Sequence, residues 1–449
     1  MSLYTYFCAN VLFPLHEMLK GHQSFEIRKN LEKSQWKPLV ELSAERENRL
    51  KSFLSYCYEN VPYYAELFKE LGLTPDDITQ ISDLEKLPFL DKRLIRNNFD
   101  GIKSKNAGSS KVFTTGGSSG TPLKFLLGNE RVSHDVAEKW RATRWWGVDI
   151  GDREIVAWGS PIELTKQDRL KSMRDFIFRT KLIPAFDLSV KNKILFLKKI
   201  KRFKPKMLFG YPSVYYVLAK EAEKNKIDMS QIGIKVIFVT SERLYDYQRE
   251  LIERIFNAPV ANGYGGRDAG FIAHECPSGK MHISAEDIIV EVVRNDGTNC
   301  EPGESGEIVV THMATGDFPF IRYKTGDIGR LSNDLCDCGR GLPVLEQVEG
   351  RTTDFVVASN GTQIHGLSLI YILREIDSVD SFKIVQESTA KTSVLIVPTS
   401  TYTDSVEENI VAAFKARLGS NVTIDITIVD SIAAEASGKY RYVVSKVAS

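Results

Sequence analysis

Cysteine is scarce in this chain. Six residues, Cys8, Cys57, Cys276, Cys300, Cys336 and Cys338, are spread unevenly over 449 positions. That spacing excludes a secreted disulfide scaffold and points to a reducing compartment, so a cytoplasmic protein is expected. An excess of one charge is missing too: 59 Lys and Arg stand against 58 Asp and Glu, a net +1. Near balance leaves no overall footprint for nucleic acid or an anionic membrane, and small molecules and proteins are the expected partners. No apolar run reaches the roughly 18–20 residues that a membrane span requires. Residues 1–20 carry apolar patches (Leu3, Tyr4, Phe7, Val11, Leu12, Phe13, Leu15) without a basic leader or a small-residue cleavage site. They are read as a helix packing on its own domain rather than as a signal peptide or a peripheral membrane contact. Internal repeats and low-complexity tracts are absent.

What is present suits a soluble globular protein: 43% hydrophobic and 26% charged residues. At roughly 100–200 residues per domain the length suggests two to four domains. Residues 23–100 read as helices broken by short turns. From about 110 to 300, strand-like runs (Glu154 to Trp158, Met207 to Phe209, Val236 to Val239, Pro259 to Ala261) alternate with helix-like ones (Ser133 to Trp146, Val190 to Phe203, Ser213 to Lys226, Tyr245 to Phe256). Such alternation predicts a mostly parallel α/β sheet. Between about 280 and 345 alternating patterns and turn residues predict a small antiparallel β subdomain. After Gly350 the chain restarts as a small α+β unit, so we expect a large N-terminal domain over 1–350 and a small C-terminal one over 351–449.

One loop stands out. Thr114, Thr115, Gly116, Gly117, Ser118, Ser119, Gly120 and Thr121 follow a short apolar run and precede Pro122. Its glycines permit sharp turns and close approach, and its amides and hydroxyls can wrap phosphate oxygens. It lacks the G-K-[ST] ending of a Walker loop and the Rossmann fingerprint. On composition alone, a phosphate cradle and a flexible Gly/Ser turn remain equally open.

The loop resembles the phosphate-binding signature of adenylate-forming enzymes, approximately T-S-G-T-T-G-x-P-K. Thr115, Gly117, Gly120 and Pro122 match it, Ser118 and Ser119 replace threonines, Gly116 replaces the serine, and Leu123 stands where many members have lysine. More motifs follow in family order. FVTSERLYDYQRELIERIF, from Phe238, resembles the stretch before the adenine site and implies Ser241 and Glu242 near the base. NGYGGRDAG supplies Asn262, Gly263, Tyr264 and Gly265. It implies that Tyr264 packs on adenine and that Asp268, in place of the usual glutamate, holds Mg²⁺. In FPFIRYKTGDIGRL, Asp327 would accept hydrogen bonds from the ribose hydroxyls. VEGRTTDFVVASNG resembles the hinge between the two domains, with Arg351 reaching ribose and phosphate. ASGKYRYVVSKV resembles the terminal G-K motif and makes Lys439 the candidate catalytic lysine. By family position only, Trp140, Tyr211, Pro212 and Ser213 would line the acid pocket.

Taken singly, most of these segments also fit bland readings: a strand-to-helix connection, a capped turn, a hairpin, a surface linker, a solvated lysine. Their order along nearly the whole chain carries the resemblance, which is narrowest to phenylacetate-CoA ligases and their branch associated with capsular polysaccharide clusters. It implies an α/β fold with a mobile lid and ATP and Mg²⁺ as requirements. The implied activity is acid activation to acyl-AMP, followed by acyl transfer to CoA or, alternatively, to a carrier thiol or a sugar amine or hydroxyl. A non-catalytic nucleotide-binding protein is the third reading, and a homodimer is compatible with the branch. Cys276, His282, Cys336 and Cys338 form a candidate structural Zn²⁺ set, with His274 as an alternative fourth ligand or separate buried thiols as the plain reading.

Overall fold

The computed structural model describes residues 2–108, 110–114, 123–158, 169–185, 188, 190–351, 355–433 and 441–447. The chain divides into two compact units, one of residues 1–325 and 329–348, the other of residues 326–328 and 349–449.

The first unit opens with helices. Helices α1 (Leu3–Phe7) and α2 (Phe13–Leu19) are joined by a π-helical turn at Cys8–Leu12, and α3 (Ser24–Ser34), α4 (Leu39–Asn60) and α5 (Pro62–Leu71) follow. Helix α4 buries Leu50, Phe53, Leu54 and Cys57 on one face, spaced three and four apart as an amphipathic helix requires. Val61 is extended ahead of Pro62, which ends α4 and starts α5 in the first-turn position that proline tolerates. The hairpin β1 (Lys111–Thr114) and β2 (Lys124–Leu127) pairs Thr114 with Lys124.

Next come α6 (Asn129–Trp145), β3 (Glu154–Trp158), α7 (Arg169–Ile177), β4 (Thr180–Pro184), α8 (Val190–Phe203), β5 (Met207–Gly210), α9 (Pro212–Lys224), β6 (Val236–Thr240), α10 (Asp246–Phe256) and β7 (Val260–Gly266). Strands β4, β3, β5, β6 and β7 lie side by side in that order, all parallel. β5 and β6 are buried along their whole length, the mark of strands covered on both faces. At β7 the sheet turns antiparallel and runs on through β8 (Gly270–Glu275), β9 (Met281–Ile283), β13 (Val344–Arg351), β12 (Phe320–Ser332), β11 (Gly306–His312) and β10 (Ile288–Val293), eleven strands in all. The strands of the expected antiparallel subdomain continue the parallel sheet, because β7 and β8 pair as a hairpin and leave β8 an edge on which to build.

The second unit has its own sheet, ordered β18 (Thr423–Ile428), β17 (Lys391–Pro398), β16 (Val379–Ser388), β19 (Val443–Ser445), and a small hairpin, β14 (Phe355–Val357) with β15 (Gln363–His365). Helices α11 (Leu367–Arg374) and α12 (Asp404–Leu418) complete it. Gln386, fully buried, substitutes for a neighbouring strand: its Nε2 donates to the Val357 carbonyl at 2.7 Å and its Oε1 accepts from the Val357 N–H at 2.9 Å.

Candidate functional site

The chain order fixes where a ligand can enter. From β3 the chain crosses outward to β4 and then back past β3 to β5, so the direction of winding reverses between β3 and β5. In open α/β sheets a crevice forms at the carboxyl ends of the strands flanking such a reversal. Here Trp158 ends β3 and Tyr211 follows β5, and their rings stack across the crevice with centroids 4.7 Å apart and planes at 21°. Gly210 lets β5 lie this close: its φ is +151°, and a Cβ there would stand 2.2 Å from the Ala157 carbonyl oxygen.

One strand over, β6 ends at Thr240 and Ser241 adopts a left-handed backbone with φ +72°, a costly state for a residue with a side chain. Glu242 follows. Its Oε2 accepts from the Ser213 N–H at 3.2 Å, in the first turn of α9, where amides have no helical partner. The predicted adenine-site residue Glu242 and the predicted acid-pocket residue Ser213 are therefore joined directly. Pro212 and Ser213 start α9, with Tyr211 as its N-cap.

Asn262, Gly263, Tyr264 and Gly265 lie on β7, which bulges against β8 between Tyr264 and Gly265. A Cβ at Gly265 would collide with the Gly270 carbonyl at 2.2 Å, so glycine is what allows the tight hairpin. Tyr264 is half-buried, and its hydroxyl donates to Thr325 Oγ1 at 3.4 Å. In the turn beyond, Asp268 Oδ2 accepts from the Tyr323 hydroxyl at 2.7 Å and its Oδ1 from the Ala269 N–H at 3.2 Å. A half-buried, oriented carboxylate of this kind is the hard oxygen ligand that Mg²⁺ takes. Sequence reasoning missed the residue beneath this turn. Arg131, 2% exposed on α6, donates Nε to both Asp135 oxygens at 3.1 Å while its Nη atoms reach the Asp268 and Arg267 carbonyls at 3.4 and 3.5 Å.

Trp140 is buried among the N-terminal helices, with the Phe13 ring at 5.0 Å, the Arg28 guanidinium at 4.6 Å and its indole N–H on Asp149. It falls on the α6 face that these helices cover. Thr114 ends β1, exposed; Thr115 to Thr121 lie outside the described residues, as does Lys439. Asp327 lies half-buried on β12, and Arg351 closes β13.

The cysteine and histidine candidates come together. The ligand atoms of Cys276, His282, Cys336 and Cys338 all lie within 4.8 Å of one another. Cys276 Sγ is 3.6 Å from Cys336 Sγ, and Cys338 Sγ is 3.2 Å from His282 Nε2. A tetrahedral Zn²⁺ with bonds of roughly 2.0–2.3 Å needs ligand separations of about 3.5–3.8 Å, which Cys276 and Cys336 meet, and three cysteines with one histidine are a donor set that suits the ion. His282 Nδ1 lies 3.2 Å from the Leu342 carbonyl, which fixes the tautomer and frees Nε2 for a metal. Burial lowers the His282 pKa to about 4 and pushes the Cys336 thiol up to about 12. Burial also opposes ionisation of Cys338, but hydrogen bonds from Arg340 outweigh it and hold that thiol below its ordinary value. His274 is not a member: it stacks on Phe271, with centroids 5.4 Å apart.

The chain is similar to several known proteins. The CapK C-terminal domain family matches residues 356–446. Protein CapK of Staphylococcus aureus is 25% identical over 406 residues, 90% of this chain and 89% of the relative. The phenylacetate-coenzyme A ligase of Thermus thermophilus is 24% identical over 351 residues, covering 76% and 77%, and that of Escherichia coli 27% identical over 325 residues, covering 71% and 72%. Among solved structures, 2-hydroxyisobutyryl-CoA ligase in its postadenylation state superposes with a TM-score of 0.74 at 20% identity, covering 92% of each chain. ATP-bound MatB from Rhodopseudomonas palustris gives 0.52 at 15% identity, covering 73% of this chain and 65% of that one. The fold is that of the adenylate-forming enzymes. In sequence the chain is similar to Protein CapK and to the phenylacetate-CoA ligases. Among the described residues no helix is long and apolar enough to cross a membrane.

Proposed function

We propose that this protein activates a carboxylic acid with ATP, forming an acyl-AMP and releasing pyrophosphate, and then transfers the acyl group to CoA. The observation that carries the reading is the convergence of Trp158, Tyr211, Ser241, Glu242, Tyr264 and Asp268 on the carboxyl ends of consecutive parallel strands, where an open α/β sheet binds its ligands. In this reading the acid lies beside Tyr211, Pro212 and Ser213, and the Tyr264 ring packs on adenine. The loop from Thr114 to Thr121 holds the β- and γ-phosphates, and Asp327 and Arg351 hold the ribose. Asp268 would hold Mg²⁺, which neutralises phosphate charge when bound. Lys439 stabilises the charge that builds as the acid oxygen attacks the α-phosphate and pyrophosphate leaves. Cys276, His282, Cys336 and Cys338 would hold a structural Zn²⁺.

The match of residues 356–446 to the CapK C-terminal domain favours a second reading of the acceptor alone: a carrier thiol, or a sugar amine or hydroxyl in surface-polysaccharide assembly. ATP–pyrophosphate exchange over a panel of aryl, fatty, hydroxy and amino acids tests the first step, with Lys439→Ala and Asp327→Ala beside the wild type. Exchange with one class of acid, lost in both variants, is expected; exchange that survives both would refute the assignment. Adding CoA and following thioester then decides the acceptor.

A further inference from the structure

The parallel strands have another end, remote from the proposed reaction. There a cleft of about 620 Å³ is lined by Arg153, Lys181, Lys198, Lys199 and Arg202 around Phe203. Arg153 immediately precedes β3, Lys181 is the second residue of β4, and the others close α8 on its way into β5. All therefore sit at the amino ends of the strands whose carboxyl ends carry Trp158 and Tyr211, a strand length of roughly 17 Å away.

Five cations line this cleft with no carboxylate among them, in a chain whose net charge is only +1. Among the described residues none of the five forms an ion pair. Neutral groups hold three of them instead. Arg153 Nη1 donates to the Phe203 carbonyl at 3.2 Å and Lys199 Nζ to the Leu182 carbonyl at 2.8 Å. The Lys181 ammonium stands 4.2 Å from the Phe203 ring centroid and the Arg153 guanidinium 5.9 Å from it. Like charges gathered without a counter-charge repel, and an anion with several oxygens relieves that repulsion at every cation it touches. Arginine forks and mobile ammonium groups together are the donor set that phosphate takes.

We propose that this cleft binds the phosphate groups of an organic phosphate or pyrophosphate ester, at a site separate from that of acid activation. The ester could be dissolved or a phospholipid headgroup. The second source is relevant because α1 meets the same end of the sheet: the Tyr4 hydroxyl donates to the Ile177 carbonyl at 2.7 Å and the Arg179 guanidinium lies 3.7 Å from the Tyr4 ring. α1 and α2 leave Leu3, Phe7, Met18 and Leu19 exposed.

The test uses the full chain, the charge reversal Lys198→Glu with Arg202→Glu, and the neutral pair Lys198→Gln with Arg202→Gln as a guard against misfolding. In one arm, pyrophosphate is titrated calorimetrically with Mg-ATP saturating and no acid present, so that the nucleotide site is already filled. In the other, the protein is sedimented with vesicles of equal phosphatidylglycerol and phosphatidylcholine, or of phosphatidylcholine alone. Loss of two charge-assisted contacts should weaken binding about 10- to 100-fold in whichever arm binds, less so for the neutral pair. Pyrophosphate binding that behaves this way supports the site with a dissolved ligand. Binding to the anionic vesicles that behaves this way, and falls further with Leu3→Ser and Phe7→Ser, supports it with a headgroup as the source. No binding by the wild type in either arm, or binding that charge reversal leaves unchanged, overturns the proposal.

Discussion

A single hydroxyl orients the carboxylate that the proposed chemistry needs. Tyr323 is fully buried and donates to Asp268 Oδ2, which fixes the orientation of that oxygen. Removing the hydroxyl with Tyr323→Phe should raise the Mg²⁺ concentration for half-maximal exchange about 10- to 100-fold, as loss of a supporting hydrogen bond does at metal ligands. The fold should lose only about 1 kcal/mol. An Mg²⁺ titration of exchange rate checks this, and an unchanged midpoint would separate Asp268 from the metal. Asp268 was legible because it sits in a motif, but Arg131 was not. In sequence it reads as half of an ordinary i,i+4 pair with Asp135 on a solvated helix face, and nothing local indicates that its Nη atoms reach carbonyls more than 130 residues away. The packing of Trp140 on the N-terminal helices was not legible either, since a family position does not say which face of a helix its neighbours cover.

At the level of elements, strand ends and strand edges do different work. The turn after β6 holds Ser241 in a left-handed state that favours glycine, so Ser241→Gly should stabilise the fold by about 0.5–1 kcal/mol in urea unfolding. If exchange falls while stability rises, the strain serves the site; if neither changes, the backbone there is relaxed. The Cys/His cluster acts between elements: Cys276 and His282 flank the β8–β9 turn, while Cys336 and Cys338 precede β13, which pairs Val344 with His282. An ion there closes a loop of about 60 residues, which the chain-entropy model values at about 4 kcal/mol. Purified protein should carry one equivalent of zinc, and Cys336→Ala with Cys338→Ala should lose it and lower stability by a similar amount. Zinc content below half an equivalent would remove the assignment. The strands and helices of the parallel half were readable because period-2 and period-3.6 patterns alternate there. The edge strand Thr180–Pro184, five residues long, gave no such signal, and β8 to β13 could be read as antiparallel but not as part of the same sheet, since register across the β7–β8 hairpin is a tertiary fact.

For the whole molecule, buried neutral histidines set the response to acid. Burial lowers His274 to about 3 and His312 well below its ordinary value, with Arg131 adding to the second effect. Both groups bind a proton in the unfolded chain near pH 6.5 but not in the folded one until far lower. Stability is therefore fully present above about 6.5 and falls as the pH drops through the window below it, by about 1.4 kcal/mol per pH unit for each histidine. Urea midpoints between pH 7 and pH 5 should show this slope, and His274→Gln should reduce it by one proton; a flat profile would contradict the buried neutral state.

The long return of the chain to β9 also bears on synthesis. β9 is three residues long, and its second neighbour, β13, lies about sixty residues downstream. At roughly 5–20 residues per second a ribosome needs about 3–12 s to cover that distance. During this interval β9 waits as an open edge with Cys276 and His282 already made, and the four-ligand pocket becomes complete only after Cys338 has been added. The sheet is thus finished in an order different from its spatial order, with its middle closing after its far edge has begun to form.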